Sequence, residues 1–257
     1  MRFIFSWANA CAFLWVVDGQ NGYITTFERF SPKHQKRSTD EGLDEFLMEQ
    51  KNIWNNLYFN SPHTLGSIEW IQKYDNYFHK MKNYTIIDLG CGRGDNAYYL
   101  KEEGYNVIAC DFSPVAVEFI NKTYPLIETK CFDMTKDFPK DFRNVGIVLA
   151  SLSTHYFSLE ETIVLYDNIY DTLQPTGYFI FRVNSKEELE NKNRPDVHSI
   201  IERDYYLLND GNTKRYFDID SVSALLKKFS IIDIHQTQSE YRGHVKYYIE
   251  GMAQKNF

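Results

Sequence analysis

Residues 84–100 constrain the fold more than any other stretch, and they read Y-T-I-I-D-L-G-C-G-R-G-D-N-A-Y-Y-L. The short run Thr85–Ile87 is typical of a buried parallel strand, and Asp88 stands at its end. Three glycines follow at alternate positions, namely Gly90, Gly92 and Gly94. Asp95 or Asn96 can then cap a helix, whose free N–H groups would point at a ligand lying on the glycine backbone. A strand, a glycine bend and a helix in this order predict the ligand end of a Rossmann-type α/β unit.

The spacing of the glycines narrows the chemistry of the ligand. A dinucleotide fingerprint reads G-x-G-x-x-G, whereas this chain reads D-x-G-x-G-x-G, with Asp88 two residues before the first glycine. A carboxylate at that place suits a ligand that carries an ammonium group better than one that carries a pyrophosphate. A nicotinamide-dinucleotide bend or a purely structural glycine turn is the alternative, because glycine-rich turns alone are weak signals.

The run I-I-D-L-G-C-G-R-G resembles the first motif of the class I S-adenosylmethionine (SAM)-dependent methyltransferases. This resemblance covers about Trp54 to Lys255. It implies a Rossmann-like α/β fold, in which a seven-stranded mixed sheet carries helices on both faces and ends in a reversed hairpin. It also implies that SAM is the cofactor and that its methionine end is held by Asp88, Gly90, Cys91, Gly92 and Gly94.

A second carboxylate stands where a ribose would need one. The predicted strand Asn106–Cys110 ends in Asp111, about 20 residues beyond the glycines, where an acid can accept hydrogen bonds from ribose hydroxyls. Phe112 is expected to pack either on the adenine or in the core. The resemblance places two residues that follow a third strand, about residues 127–131, beside the adenine: Asp133 and Met134. A turn-forming acid is the alternative for the first of these two.

The fourth predicted strand, Val145–Ala150, should end opposite the transferred methyl group, because ligands lie beyond the strand ends at a switch point. Ser151 follows it and is expected to contact the cofactor. The run L-A-S-L-S-T-H-Y-F-S resembles small-molecule methyltransferases of the tellurite-resistance and thiopurine-like type. His155 is expected to act as a general base or to position the acceptor, and Tyr156 to shape the acceptor pocket. A structural histidine at the start of a helix is the alternative.

Two helices are predicted ahead of the glycine bend, because apolar residues fall at helical spacing over Asp44–Tyr58 and again over about Leu65–Phe78. The resemblance implies that such helices cover the cofactor. Trp54 and Tyr58 are therefore expected to belong to a lid. Two aromatic side chains that merely dock a helix on the sheet explain the pattern equally well.

Basic side chains follow the fifth predicted strand, Tyr178–Asn184. Arg182 lies near the end of that strand, and Arg215 lies in a predicted hairpin around the turn N-D-G-N at residues 209–212. Both arginines are expected to bind the acceptor. Arg215 could meet an anionic acceptor or the cofactor carboxylate, and a solvated surface position is its alternative. Lys214 is expected to be solvated instead.

Composition limits the partners and the compartment. The 257 residues carry a net charge of −7, which argues against a broad phosphate-binding surface. We therefore expect a small-molecule acceptor and no nucleic acid or membrane partner. The four cysteines form no C-x-x-C pair, which predicts reduced thiols, a cytoplasmic protein and no metal site. Residues 1–47 are expected to be an appendage of unclear role and residues 48–257 the methyltransferase domain, and the oligomeric state is left open.

The predicted function is in-line methyl transfer from SAM to a small-molecule acceptor. The protein would align the donor and the acceptor and exclude water, because the sulfonium already activates the methyl carbon. Two alternatives are a detoxifying methyltransferase of the tellurite or selenite type and a non-catalytic scaffold that binds SAM.

Overall fold

The computed structural model describes residues 2–8, 11–17, 50–60, 63, 66, 68–190, 195–241 and 244–257. The chain divides into two compact units, Met1–Glu49 and Gln50–Phe257. In the first unit, two strands form an antiparallel hairpin that pairs Arg2 with Val17 and Ala8 with Cys11. The first part of the predicted helix, residues 44–49, lies outside the described residues. The role predicted for residues 1–47 stays a prediction.

The strands of the described chain are β1 (Arg2–Ala8), β2 (Cys11–Val17), β3 (Thr85–Leu89), β4 (Asn106–Asp111), β5 (Glu128–Cys131), β6 (Val145–Ser151), β7 (Leu173–Asn184), β8 (Val197–Glu202), β9 (Tyr205–Leu208), β10 (Thr213–Arg215), β11 (Phe229–Tyr241) and β12 (His244–Lys255). The helices are α1 (residues 50–60), α2 (Glu69–Gln72), α3 (Asp75–Lys80), α4 (Asp95–Glu102), α5 (Pro114–Thr123), α6 (Leu159–Thr172), α7 (Glu187–Glu190) and α8 (Ile219–Leu225). None of these helices is long and apolar enough to cross a membrane.

Seven of the described strands form one mixed sheet in the order β5-β4-β3-β6-β7-β12-β11. The strands from β5 to β7 are parallel to one another, and β12 runs antiparallel to both of its neighbours. The Rossmann-like fold with a seven-stranded mixed sheet and a reversed final hairpin is therefore confirmed. Because β3 and β6 change the direction of winding, their carboxyl ends form the switch point at which such sheets bind ligands.

The core lies on both faces of this sheet. All five residues of β3 are buried, as expected for a parallel strand covered on both sides. Alternate residues of β7 divide between the two faces: Phe179 and Phe181 pack with α6 and α8, whereas Ile180 packs with α2, α3 and α4. The central strands are therefore held rigidly, and the loops at their carboxyl ends carry the candidate site.

Two helix caps fix the loops at the carboxyl edge of the sheet. The Ser113 hydroxyl accepts a hydrogen bond from the Ala116 N–H at 3.2 Å, and Pro114 occupies the first helical position of α5. Ser158 and Glu161 form a capping box at the start of α6. These caps determine where the loops after β4 and β6 end.

Two local predictions differ from the structure. The predicted helix Leu65–Phe78 is broken by a turn at residues 73–74 into α2 and α3. Strand β7 begins at Leu173 rather than Tyr178, since Leu173 already pairs with Val145 of β6, and a register shift separates this pair from that of Tyr178 with Ile147. Helix α7 follows β7, and β8 joins β9 and β10 in a separate antiparallel sheet.

Candidate functional site

The glycine bend lies between β3 and α4, at the carboxyl edge of the large sheet. Gly90, Gly92 and Gly94 have φ values of +71°, +56° and +84°, which place all three in the left-handed region that side chains with a Cβ rarely adopt. A Cβ on Gly90 would lie 2.2 Å from the Cβ of Ser153, and one on Gly92 would lie 3.2 Å from the hydroxyl of Tyr58. The bend therefore needs glycine both for its conformation and for space.

Asp88 lies directly beneath this bend and is 1% exposed. Neither of its carboxylate oxygens has a hydrogen-bond partner among the described residues. Burial raises its pKa from 3.8 to about 7, and the nearby charge of Asp111 adds to the rise. The Ala97 N–H and the Asn96 side chain oppose the rise in pKa, although neither approaches the carboxylate with the geometry of a full hydrogen bond. An unpaired buried carboxylate fits an ammonium group, which is what the methionine end of SAM would bring to it.

Asp111, at the end of β4, ties the bend to the start of α5. Its Oδ2 accepts a hydrogen bond from the Gly92 N–H at 2.8 Å, and its Oδ1 accepts one from the Ser113 N–H at 2.9 Å. Burial raises the pKa of Asp111 to about 6, while those two N–H groups lower it. Each oxygen keeps a further lone pair, so the carboxylate can still accept hydrogen bonds from two neighbouring hydroxyls.

The residues predicted to lie beside the adenine follow β4 and β5. Asp133 Oδ1 accepts hydrogen bonds from the N–H and the hydroxyl of Thr135, at 2.9 and 2.7 Å. Met134 is buried beside the bend, with its methyl carbon 3.2 Å from the place of a Cβ on Gly90. Phe112 is half-buried. Burial raises the pKa of the Cys91 thiol, so this side chain contributes a neutral wall. Their contacts with adenine remain predictions.

Helix α1 lies across the bend. The Ser113 hydroxyl donates to Asn55 Oδ1 at 2.5 Å, and the Arg93 guanidinium donates to the backbone carbonyl of Tyr58. The Tyr58 hydroxyl sits over Gly92, and Gln50 Nε2 donates to the Gly211 carbonyl at 2.6 Å. Helix α1 therefore joins the cofactor bend at one end to the β9–β10 turn at the other, which suits the lid predicted for Trp54 and Tyr58.

The loop after β6 approaches the bend from the opposite side. Leu152 has a φ of +54°, a strained conformation for a side chain of this size, and its N–H donates to the Arg182 carbonyl at 2.8 Å. The Ser153 hydroxyl donates to the Leu89 carbonyl at 2.6 Å. Half-buried Ser151 precedes these residues at the end of β6. The loop is thereby fixed against the strand that carries Asp88.

His155 and Tyr156 occupy the next positions of this loop. The His155 side chain is 1% exposed, and its Nδ1 has no hydrogen-bond partner in the described part of the chain. Burial lowers its pKa well below 6.5, and the charges of Lys214 and Lys246 lower it further. The His155 ring is therefore neutral at pH 7 and lies 4.3 Å from the ring of Tyr156. Its role as a base or as a positioning group stays a prediction.

A cleft of about 480 Å³ opens beside Tyr156. It is lined by aromatic, aliphatic, amide and charged side chains: Ile53, Trp54, Asn56, Leu57, Asn60, Tyr156, Asp210, Asn212 and Lys214. The rings of Trp54 and Tyr156 meet edge to face at 5.1 Å, and Trp54 lies 5.7 Å from Tyr58, which reaches the cofactor bend. This acceptor cleft therefore adjoins the place expected for the methyl donor.

The two arginines predicted to meet the acceptor are engaged by the protein itself. Arg182 pairs with buried Glu250 at 2.9 Å, and its guanidinium lies 4.0 Å from the ring of Tyr248. Arg215 pairs with Glu202 and donates to the Phe157 carbonyl at 3.2 Å. These contacts hold the loops in place, and binding of an acceptor by either arginine stays a prediction.

Lys214, which we expected to be solvated, lines the acceptor cleft instead, because successive residues of a strand point to opposite faces. No sequence pattern indicates that Asn56, Asn60 and Asn212 line the same acceptor cleft. The turn N-D-G-N predicts a hairpin, but a turn signal does not say which part of the molecule that hairpin faces.

The raised pKa values predict that SAM binding depends on pH. Because the pKa values of Asp88 and Asp111 are raised in the folded protein, these groups contribute to the free energy of unfolding of the ligand-free protein below about pH 4. That contribution is lost as the pH rises through about 6 to 7. A cationic ligand favours the ionised carboxylates, so SAM affinity should rise with pH up to about 7.5, below the range near 8 in which its own amino group titrates. Calorimetry across this range measures the effect. Asp88→Asn should flatten the curve, and an unvarying affinity in the wild type would contradict the assignment.

Three resemblances to known proteins bear on this site. A family model described as a methyltransferase domain matches residues 86–177. This range contains all of β3 but its first residue, the glycine bend, Asp111 and residues 152–157 after β6, which we call the acceptor loop. A SAM-dependent methyltransferase from Methanosarcina mazei superposes with a TM-score of 0.62 at 18% identity, over 70% of this chain and 97% of that chain. This structural likeness supports the fold.

Curated relatives include enzymes that act on tRNA. The chain is 24% identical to the tRNA N(3)-methylcytidine methyltransferase trm141 of Schizosaccharomyces pombe, over 74% of this chain and 82% of that protein. It is 32% identical to the human tRNA N(3)-cytidine methyltransferase METTL6, over 55% of this chain. The chain spans about half of the human protein, 52% of its length.

The expectation of a small-molecule acceptor without a nucleic acid partner is therefore wrong, because these relatives are tRNA methyltransferases. A net charge of −7 is a sum over the whole chain and does not describe the surface around one cleft. Lys214 and Lys246 lie close enough to His155 to lower its pKa, so basic side chains stand near this loop although the chain as a whole is acidic.

Proposed function

We propose that this class I SAM-dependent methyltransferase transfers a methyl group to N3 of a cytidine in tRNA. The chain is an enzyme whose cofactor is SAM, since the matching family model, the two curated relatives and the Methanosarcina mazei structure described above are methyltransferases. The acceptor is the proposed part. The observation that carries it is the relationship to the S. pombe tRNA N(3)-methylcytidine methyltransferase, which extends over 82% of that protein.

The acceptor cleft suits a single base taken out of its stack. Bases extruded for chemistry are held between aromatic side chains and recognised along their hydrogen-bonding edge. Trp54 and Tyr156 supply aromatic surface next to the cofactor bend. Asn56, Asn60 and Asn212 add amides, each of which can both donate and accept hydrogen bonds. At about 480 Å³ the cleft is large enough for a nucleoside.

The reaction requires little of the protein beyond the alignment of the methyl donor with the acceptor base. When bound, SAM supplies a methyl group that its sulfonium has already activated. The N3 lone pair of a neutral cytosine carries no proton, so no base has to act before the attack. The neutral His155 ring does not repel the positive charge that passes to the base. The chain's task is to hold the base plane with Trp54 and Tyr156 and to exclude water beneath α1.

Incubating the full chain with methyl-labelled SAM and total tRNA tests the proposal. Digestion to nucleosides should place the label in N3-methylcytidine, and label in no nucleoside or only in another one would overturn the acceptor. Calorimetry with SAM alone runs in parallel, because a scaffold would bind SAM and label nothing. Asn209→Ala, at an exposed position on the β9–β10 turn and outside the cleft, is the control that should retain the labelling.

A further inference from the structure

The β9–β10 hairpin is fixed against the acceptor loop by its own backbone and side chains. The Arg215 N–H donates to the His155 carbonyl at 2.7 Å, and the Thr213 hydroxyl donates to the Tyr156 carbonyl at 2.9 Å. The Tyr205 hydroxyl donates to that same Tyr156 carbonyl at 2.9 Å. The hairpin and the acceptor loop therefore form one rigid wall.

The register of β10 decides which side chains line the cleft. Thr213 and Arg215 are buried, at 2% and 4% exposure, and make the contacts that hold the acceptor loop. Lys214 alternates with them and lines the cleft together with Asn212. The turn before β10 is also held in place, because the Asn212 N–H donates to Asp210 Oδ1 at 2.9 Å and its carbonyl accepts from the Leu208 N–H at 2.8 Å.

The side chains of Asn212 and Lys214 both carry unused hydrogen-bonding capacity. Asn212 Oδ1 is buried and has no hydrogen-bond partner among the described residues. A buried acceptor left in this state is unfavourable, so it calls for a partner that arrives with the ligand. In the described part of the chain, the Lys214 ammonium makes no hydrogen bond or ion pair either, although it is half-buried.

We propose that Asn212 and Lys214 recognise the hydrogen-bonding edge of the acceptor base: Asn212 Oδ1 accepts a hydrogen bond from an exocyclic amino group, and the Lys214 ammonium donates one to a ring carbonyl. This inference rests on the proposed function, since cytosine carries an amino group on one side of N3 and a carbonyl on the other. Uracil presents a carbonyl where cytosine presents the amino group, so Asn212 Oδ1 would face another acceptor and reject it. The pair thus sets base specificity, and N3 is left free for the methyl group.

The test for Asn212 pairs a variant with an altered base. The tRNA that the wild type methylates is prepared with cytidine or with pyrimidin-2-one, which lacks the amino group, at the acceptor position. Asn212→Leu should lower kcat/KM on cytidine by about 100-fold but on pyrimidin-2-one by less than about threefold. Any loss of N3 reactivity in the altered base is common to all variants and cancels. Asn212→Asp keeps the acceptor and should stay within about tenfold of the wild type on cytidine.

Asn209→Leu is the matched control, because Asn209 is an exposed asparagine on the same turn and lies outside the cleft. It should change neither substrate by more than about twofold. SAM affinity should be unchanged in every variant, and Asn212→Leu should melt no lower than the wild type, because it removes the unpaired buried oxygen. Equal losses on both bases in Asn212→Leu, or an Asn212→Asp variant as slow as Asn212→Leu, would overturn the assignment of Asn212.

Lys214 is tested in the same way with 2-thiocytidine, whose ring thiocarbonyl is a weaker acceptor. Lys214→Met should lower kcat/KM on cytidine by about tenfold, with a smaller loss on 2-thiocytidine and partial recovery in Lys214→Arg. Equal losses on both bases, together with a shallower salt dependence, would identify a phosphate contact and overturn carbonyl recognition. A wild-type enzyme that methylates no tRNA cytidine would overturn the proposed function itself. An enzyme that methylates cytidine but is unaffected by Asn212→Leu and Lys214→Met would overturn only the proposed recognition of the base by these two residues.

Discussion

Gly90→Ala is expected to reduce methyl transfer by about 1000-fold or more, the largest effect of any single methyl group in this chain. The added Cβ would lie 2.2 Å from the Cβ of Ser153, closer than two non-bonded carbon atoms can approach. Either the bend changes shape or the acceptor loop moves away from β3, and both changes misplace donor and acceptor. Labelled methyl transfer and SAM calorimetry on the same preparation measure the two consequences.

Gly104→Ala provides the control that separates the clash from backbone strain. Gly104 has a φ of +81°, similar to that of Gly90, but a Cβ there would meet no atom within 4 Å. This variant should lose about 1 kcal/mol of stability and keep its activity within about threefold. Adding Ser153→Gly to Gly90→Ala removes the clashing Cβ and should restore part of the activity. A Gly90→Ala enzyme as active as Gly104→Ala would show that the bend tolerates a side chain.

Asp111→Ala is expected to weaken SAM binding by about 100-fold or more. The substitution removes a carboxylate that can receive two hydroxyls, and hydrogen bonds to charged groups contribute about 1.5–3 kcal/mol each. It also releases the Gly92 and Ser113 N–H groups, which lie 2.8 and 2.9 Å from that carboxylate, and so loosens the bend. Titration calorimetry with SAM gives the affinity directly.

The control for this variant is Asp137→Ala, which removes an exposed acid from the loop after β5. It should leave SAM affinity within about twofold, because a solvated charge at the surface contributes little. Circular dichroism must show that Asp111→Ala is folded before its affinity is interpreted. A folded Asp111→Ala protein with normal affinity would remove Asp111 from the cofactor site.

The cofactor half of the site could be predicted from the sequence because its determinants are local. The order of strand, acid, glycines and helix around Asp88 is contiguous, and Asp111 follows at the interval that one βαβ unit requires. Each glycine is dictated by its own backbone conformation. A pattern of this kind is visible without knowledge of the remaining chain.

The acceptor half could not be predicted in the same way, because it is assembled from distant segments. Arg215 and Lys214 are neighbours in the sequence, yet one holds the acceptor loop and the other lines the cleft. Only the register of β10 against residues 155–157 separates them. The acceptor itself was mispredicted from net charge, a quantity that averages over the surface that binds and the surface that does not.

Helix α1 bonds at Asn55 to the start of α5 and at Gln50 to the tip of the hairpin. A rigid rod attached at both ends transmits order from one to the other, so the two ligands should bind with positive cooperativity. Thermodynamic linkage then requires reciprocity: if SAM increases the affinity for the acceptor by some factor, the acceptor increases the affinity for SAM by that same factor. The demethylated cofactor would be retained until the methylated acceptor has left, which couples turnover to the departure of that product.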